Sequence, residues 1–277
     1  SFGVKCLCCG DPAQLPPVGG SNTLLRSPVI TLREIVRQER DNPIVRLAER
    51  IRAGERPQYG EYGSVSVVPR RSLDAAARRK LFCEADQIIV GTNRTRALVN
   101  REVRAFRGIP PERILPEEGE KIICTLNDWS KPLDERGDFH LVNGIIGTCY
   151  HVREQLDGLG QLDFQPEFLP DRVEDLPFDT GIFVRGQYYH GYGNRACQLT
   201  NGILVHEGNR EMLRRFKVRR EDTVCRFEFA YAVTCHKAQG SEYGFVVVVD
   251  ESGFFENGRE WLYTAVTRAK KRLVIIR

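Results

Sequence analysis

Phe229–Asp250, FAYAVTCHKAQGSEYGFVVVVD, decides how the chain is read. An apolar run rich in β-branched and aromatic residues reaches Thr234, a polar knot His236–Lys237–Ala238–Gln239–Gly240–Ser241–Glu242 follows, and a second apolar run closes with Val246–Val249 and Asp250. The pattern predicts strand, loop, strand. A loop that packs a cation, an amide, a glycine and a carboxylate into so few positions between two core strands reads as functional rather than as mere connection.

Working outward, 277 residues suffice for one large domain or two with a substantial core. The 41% apolar and 28% charged composition is that of a globular protein, and no apolar run is long enough to cross a membrane. The chain opens SFGVKCLCCGDP without an initiator Met and runs straight into a strand-like stretch, so a piece cut from inside a domain is expected. Net charge is only +4. Its distribution is more informative: Asn209–Arg220 holds Arg210, Arg214, Arg215, Lys217, Arg219 and Arg220 against Glu211 alone, which suits either phosphates or a solvated helix face. Nine cysteines without a paired C-x-x-C argue against both a zinc site and a disulfide framework, and point to a reducing, cytoplasmic setting.

In chain order, Val4–Cys9 predicts a buried strand, and Gly10–Val18, with three prolines, predicts a stiff loop leaving it. Asp11 and Gln14 are the polar side chains on that loop; it reads as a ligand contact past a strand end or as a Pro-rich turn with an Asp cap. Asn42 as cap, Pro43 at the first position, apolar Ile44, Leu47, Ala48 and Ile51, and Gly54 past the end give the best-signalled helix. Arg37–Gln38 precede it, where a guanidinium fork suits a phosphate. Gln87–Gly91 predicts a strand, and Thr92–Asn93 the cap of a helix whose Val99, Val103 and Phe106 share a face. Thr92, Asn93 and Arg94 are candidates for a nucleic-acid backbone, or for plain capping. Glu120–Leu126 is a further strand, and Asn143–Gly144 a hairpin turn between His140–Val142 and Ile145–Thr148. From there to about 222 short aromatic-rich strands, among them Gln161–Phe164, Gly181–Tyr189 and Ile203–His206, predict a small β-rich, barrel-like insertion. The acidic residues of 171–179 converge on no ligand set, and no metal site is expected. Gly258–Lys271 predicts a helix with Arg268 projecting near its end, and Arg272–Ile276 a last core strand.

Four stretches in this order resemble the motifs of superfamily 1 helicases. Gly10–Val18, GDPAQLPPV, is similar to motif III; Leu32–Gln38, LREIVRQ, to motif IV; Thr234–Glu242, TCHKAQGSE, to motif V; and Tyr263–Lys270, YTAVTRAK, to motif VI. Their wording is closest to the RecD/Dda-like branch. The resemblance implies an α/β fold: a RecA-like parallel-sheet domain over 31–142 and 223–277, an inserted SH3-like β-rich domain over 143–222, and the C-terminal edge of a truncated first RecA-like domain over 1–30. It implies an ATP-dependent DNA helicase, 5′-to-3′, acting on single-stranded DNA and duplex junctions with replication or recombination proteins as partners and no membrane. The alternatives are a non-catalytic module binding single-stranded nucleic acid or protein, and an RNA helicase.

By that resemblance Gln14 senses the γ-phosphate, Arg37 and Arg268 are arginine fingers, Gly240 and Glu242 approach the nucleotide, and Thr234, His236, Lys237 and Gln239 lie along the DNA strand. ATP and Mg²⁺ are the implied cofactors. No G-x-x-x-x-G-K-[ST] occurs in the chain, so the phosphate cradle and the Mg²⁺ ligands are expected upstream of motif III, in a part this chain lacks. Val246–Glu251, VVVVDE, imitates a Walker B strand but follows motif V, and reads as a structural strand with a surface Asp–Glu end.

Overall fold

The computed structural model describes residues 5, 7–17, 20, 28–31, 42–155, 159–183, 197–200, 203–206 and 224–277. Arg37 with Leu32–Gln38, the basic run Asn209–Arg220 and most of Gly181–Tyr189 lie outside the described residues. In chain order the elements begin with α1 (Pro43–Arg52), β1 (Gly60–Tyr62), β2 (Val65–Val68), α2 (Ala75–Glu84), β3 (Gln87–Val90) and α3 (Asn93–Phe106). There follow β4 (Lys121–Cys124), β5 (Asp128–Pro132), β6 (His140–Leu141), β7 (Ile146–Glu154), β8 (Leu159–Pro166) and β9 (Val173–Asp179). The last are β10 (Cys197–Thr200), β11 (Ile203–His206), β12 (Phe227–Phe229), β13 (Ala232–Thr234), β14 (Tyr243–Val249), α4 (Gly258–Val266) and β15 (Ala269–Ile276).

Two compact units result, Ser1–Thr92 with Val233–Arg277, and Asn93–Ala232. The first is built on a six-stranded sheet of order β1-β2-β15-β14-β3-β13. Strands β14 and β15, β14 and β3, and β15 and β2 pair in parallel, while β1 closes one edge antiparallel to β2. The continuous apolar runs Ile88–Val90, Val246–Val249 and Leu273–Ile276 are buried throughout, as parallel strands covered on both faces require. Helix α1 forms as expected: Asn42 Oδ1 accepts the Ile44 N–H at 2.9 Å, and Ile44, Leu47, Ala48 and Ile51 are buried. It lies against α4, whose Trp261 is fully buried.

Two expectations fail in this unit. Lys5 and Leu7–Gly10 form no strand, and Leu7, Cys8 and Cys9 are exposed; no described strand pairs with the run, so its apolar side chains stay in solvent. The last helix stops at Val266 rather than Lys271, because Ala269–Ile276 extends along β14 and the ladder between them takes the backbone groups a longer helix would use.

The second unit holds a five-stranded antiparallel sheet, β12-β4-β7-β8-β9, a two-stranded β5-β6 ribbon and a β10-β11 hairpin. Phe164, Phe178, Phe183 and Phe227 fill its core with Ile122, Leu141 and Leu162. It reaches beyond the expected insert of 143–222: β4 and β12, from either side of that segment, pair with each other, and β4 also pairs with β7. Asn143–Gly144 is a turn, with Gly144 at φ 101°, but not a hairpin: β6 before it pairs with β5, and β7 after it pairs with β4 and β8. Residues 180–183 are helical, against the strand expected from Gly181.

Candidate functional site

The parallel strands of the first unit end together at Val68, Ile276, Val249 and Val90, and the Cys235 N–H donates to the Val90 carbonyl at 2.9 Å. The polar knot thus leaves β13 at the C-terminal edge of the sheet, where open α/β sheets gather ligand sites. It folds as consecutive tight turns. Lys237 N–H and Ala238 N–H both donate to Thr234 O, at 2.9 and 3.1 Å, and Ser241 N–H donates to Ala238 O at 3.2 Å. Gly240 sits at φ +85° with open space where a Cβ would be, so conformation rather than crowding selects glycine there. Thr234 and Ala238 are buried, His236, Lys237 and Gln239 half-buried, and burial holds the His236 imidazole below its usual pKa, favouring the neutral ring.

Three distant segments meet at this loop. The Gln239 side-chain amide donates to Leu15 O at 2.9 Å, and Leu15 N–H donates to the Thr264 hydroxyl at 2.8 Å. Tyr263 donates its hydroxyl to Asp11 Oδ2 at 2.9 Å, and burial together with that carboxylate pushes the phenol up to about 12. Arg268 is buried, with its guanidinium donating to Thr264 O, Ser241 O and the Thr267 hydroxyl at 3.1, 3.1 and 3.0 Å. It does not project from the end of a helix as expected: the helix has already ended, and the side chain folds back onto its last turn. Glu242 pairs with Lys270 at 2.9 Å. Gln14 is half-buried in the turn that its own N–H closes onto Asp11 O at 3.2 Å.

The turn after β3 is organised by a group whose place the sequence hides. Glu251 is buried rather than at the surface: its carboxylate accepts Gly91 N–H at 2.7 Å and Thr92 N–H at 3.0 Å, and lies 3.4 Å from the Thr92 hydroxyl. Asp250 pairs with Arg277 at 2.9 Å. The VVVVDE strand end therefore supports neighbouring backbone and is not the exposed acidic tip expected. A Cβ on Gly91 would stand 2.7 Å from the Phe255 ring and 2.8 Å from Glu251 Cβ. Gly91→Ala is expected to cost about 1–3 kcal/mol through overpacking, read as a lowered midpoint in denaturant unfolding; an unchanged midpoint would show that the turn can open.

Of the expected site residues, the structure brings Thr234, His236, Lys237, Gln239, Gly240, Glu242, Gln14 and Arg268 into one region of the first unit. Thr92 lies in that unit on the Glu251 turn. Asn93 and Arg94 are exposed and belong to the second unit, where Asn93 Oδ1 accepts from Arg96 at 3.2 Å. Tyr263, Thr264 and Glu251 were missed as organising groups; Asp11 caps its own turn as read, accepting the Ala13 N–H at 2.9 Å, but its bond to Tyr263 was not foreseen. The available signal for Thr264 was a hydroxyl among Trp261, Leu262, Ala265 and Val266, on a face otherwise apolar and wholly buried.

Residues 229–276 match the family model of the UvrD-like helicase C-terminal domain. Across 98% of its length the chain is 27% identical to the ATP-dependent RecD2 DNA helicase of Deinococcus radiodurans, of which it spans 32%. A stretch covering 18% of the chain is 50% identical to an uncharacterized protein of Methanocaldococcus jannaschii, over 4% of that protein. The crystal structure of the Pif1 helicase from Candida albicans superposes with a TM-score of 0.52 at 17% identity, covering 97% of this chain and 62% of that one, and with the parallel sheet this supports a RecA-like helicase fold. The chain therefore spans about a third of the RecD2 helicase it matches. Its motif wording, the match over 229–276 and the likeness to RecD2 together support a C-terminal region similar to that of the superfamily 1 helicases of the RecD kind, with the fold shared by Pif1.

Proposed function

We propose that the protein to which this chain belongs is an ATP-dependent DNA helicase moving 5′-to-3′, and that residues 10–17, 234–242 and 263–270 form one wall of its nucleotide cleft. The observation that carries this reading is the hydrogen-bonded convergence of Leu15, Gln239, Thr264, Tyr263 and Asp11 on one loop, with Arg268 fixed beside it. A rigid link between the Gln14 turn and the 234–242 loop is what transmission between nucleotide and DNA strand needs. The side chains on this wall include cations and amides, Arg268, Lys237, Gln239 and Gln14, which suit the phosphate oxygens of ATP. Mg²⁺ is different: among the described residues no group of three or more His, Cys, Asp or Glu could hold a metal ion, and the proposal assigns Mg²⁺ no residue of this chain.

Thr92, Thr234, His236 and Lys237 of the first unit are assigned to the DNA strand, and Asn93 and Arg94 of the second are assigned to it by the resemblance alone. Because the chain contains no G-x-x-x-x-G-K-[ST], it is expected alone to release no phosphate from ATP, with or without single-stranded DNA, while the full-length protein shows DNA-stimulated hydrolysis. Phosphate release by the chain alone would overturn the division of labour. Unwinding of a fork with a 5′ tail but not of one with a 3′ tail tests direction; the reverse preference would overturn it.

A further inference from the structure

The far side of the same sheet edge carries a cationic feature that the motifs leave unused. An open pocket there is lined by Tyr59, Pro69, Arg70, Arg71 and Arg277. It follows the C-terminal ends of β2 and β15, so it shares the edge from which the Thr92 turn and the 234–242 loop depart. With strands about 4.8 Å apart, the three steps from β3 to β2 set it some 14 Å along the edge.

Three features make this more than a solvated basic surface. The backbone is fixed: Arg70 N–H donates to Arg277 O at 2.6 Å, and the Ser72 hydroxyl and N–H donate to Pro69 O at 2.7 and 3.0 Å, so both arginines stand on a pinned turn. The charge is uncompensated: Arg277 is taken up by Asp250 at 2.9 Å and Pro57 O at 2.7 Å, whereas among the described residues neither Arg70 nor Arg71 has an ion-pair partner. Tyr59, which lines the same pocket, is 59% exposed and can offer an aromatic face to a base.

We propose that the Tyr59–Arg70–Arg71 pocket is a second contact for single-stranded DNA, gripping backbone phosphates with two guanidinium groups and stacking one base on Tyr59. It rests on the proposed helicase reading and extends the DNA track beyond Thr92 and Lys237. Two planar donors on a fixed turn with an aromatic face alongside match a phosphate followed by a base, and nothing acidic lines the pocket.

The test is fluorescence anisotropy of the full-length protein with oligothymidylates of about 8 and about 20 nucleotides, spanning the range of single-strand sites, against salt. Arg70→Ala/Arg71→Ala is expected to weaken the longer probe roughly tenfold and lower its log K against log salt slope by about 1.4, two phosphates at about 0.7 each, with the shorter probe unaffected. Tyr59→Ala weakens the longer probe and Tyr59→Phe retains it. Lys237→Ala serves as the separate probe of the helicase reading and weakens both lengths. Unchanged affinity and slope in the arginine variant while Lys237→Ala still weakens both probes would overturn the pocket and leave the cleft standing. Equal loss on both lengths in the arginine variant would also overturn it as a distinct downstream contact. An effect of the arginine variant on the longer probe with none from Lys237→Ala supports the pocket and removes Lys237 from the track.

Discussion

Arg268→Ala in the full-length protein is expected to lower DNA-stimulated ATP turnover by about three orders of magnitude or more, the scale of a guanidinium finger, while affinity for single-stranded DNA changes only a few-fold. On the proposed reading, so much rests on one side chain because its orientation is set in advance. Its three hydrogen bonds to Thr264 O, Ser241 O and the Thr267 hydroxyl fix the plane of the guanidinium before any ligand arrives. Donors already oriented need no reorganisation when charge builds on a transferred phosphoryl group. The same bonds predict how the substitution fails. Without Arg268, the Ser241 carbonyl loses a partner from across the 234–242 loop, so a modest stability loss accompanies the kinetic one. Arg268→Lys keeps charge but not the fork and is expected to recover the stability better than the turnover. Proportional loss of turnover, DNA binding and thermal stability in both variants would make Arg268 a packing residue and sink the finger assignment.

Elements with a strong local signal were legible in the sequence, and elements defined by distant partners were not. Helix α1 carries its cap, its proline and its apolar stripe within about a dozen residues, and it forms as read. The Val246–Val249 and Gln87–Val90 runs declare themselves as covered parallel strands by being apolar without alternation. The opening stretch was only half legible. Its first apolar run divides between two units: Phe229 ends β12, Val233 begins the other unit's share, and nothing in the composition of Phe229–Thr234 marks that break. A two-residue Asn–Gly signal predicted the turn at 143–144 but not which strands would pair, because pairing is decided by partners such as β4 and β8 far along the chain. Of the site, the residue types on the 234–242 loop were readable, whereas Glu251 serving two backbone amides in the Gly91–Thr92 turn was not. A carboxylate at a strand end looks the same in sequence whether it faces solvent or a turn some 160 residues away.

Glu120→Ala is expected to be the most destabilising single substitution of those considered in the second unit, at about 3–5 kcal/mol, because it strands a buried charge. Glu120 is 2% exposed and Arg104 4%. The guanidinium reaches the carboxylate at 2.9 Å, donates to Arg113 O and Leu115 O at 2.6 and 3.0 Å, and lies 4.2 Å over the Phe229 ring. The carboxylate in turn accepts the Glu117 N–H at 2.8 Å and the Tyr231 hydroxyl at 3.2 Å, and burial beside it raises the Tyr231 phenol well above its ordinary pKa. One ion pair thus ties α3 to the loop before β4 and to the chain that follows β12. Removing the carboxylate leaves Arg104 buried with carbonyls and a ring but no countercharge, against a total domain stability of only about 5–15 kcal/mol. Glu120→Gln keeps the shape and one of the two acceptor oxygens, the other becoming a donor, and is expected to cost less than the truncation. Replacing both partners, Arg104→Leu with Glu120→Leu, is expected to cost less than the sum of the single changes, since the stranded charge disappears with its partner. Denaturant unfolding of the singles and the double measures this directly: additive losses, or a Glu120→Ala loss below about 1 kcal/mol, would show that water reaches the pair and that packing of Phe164, Phe178 and Phe227, rather than the ion pair, holds the unit together.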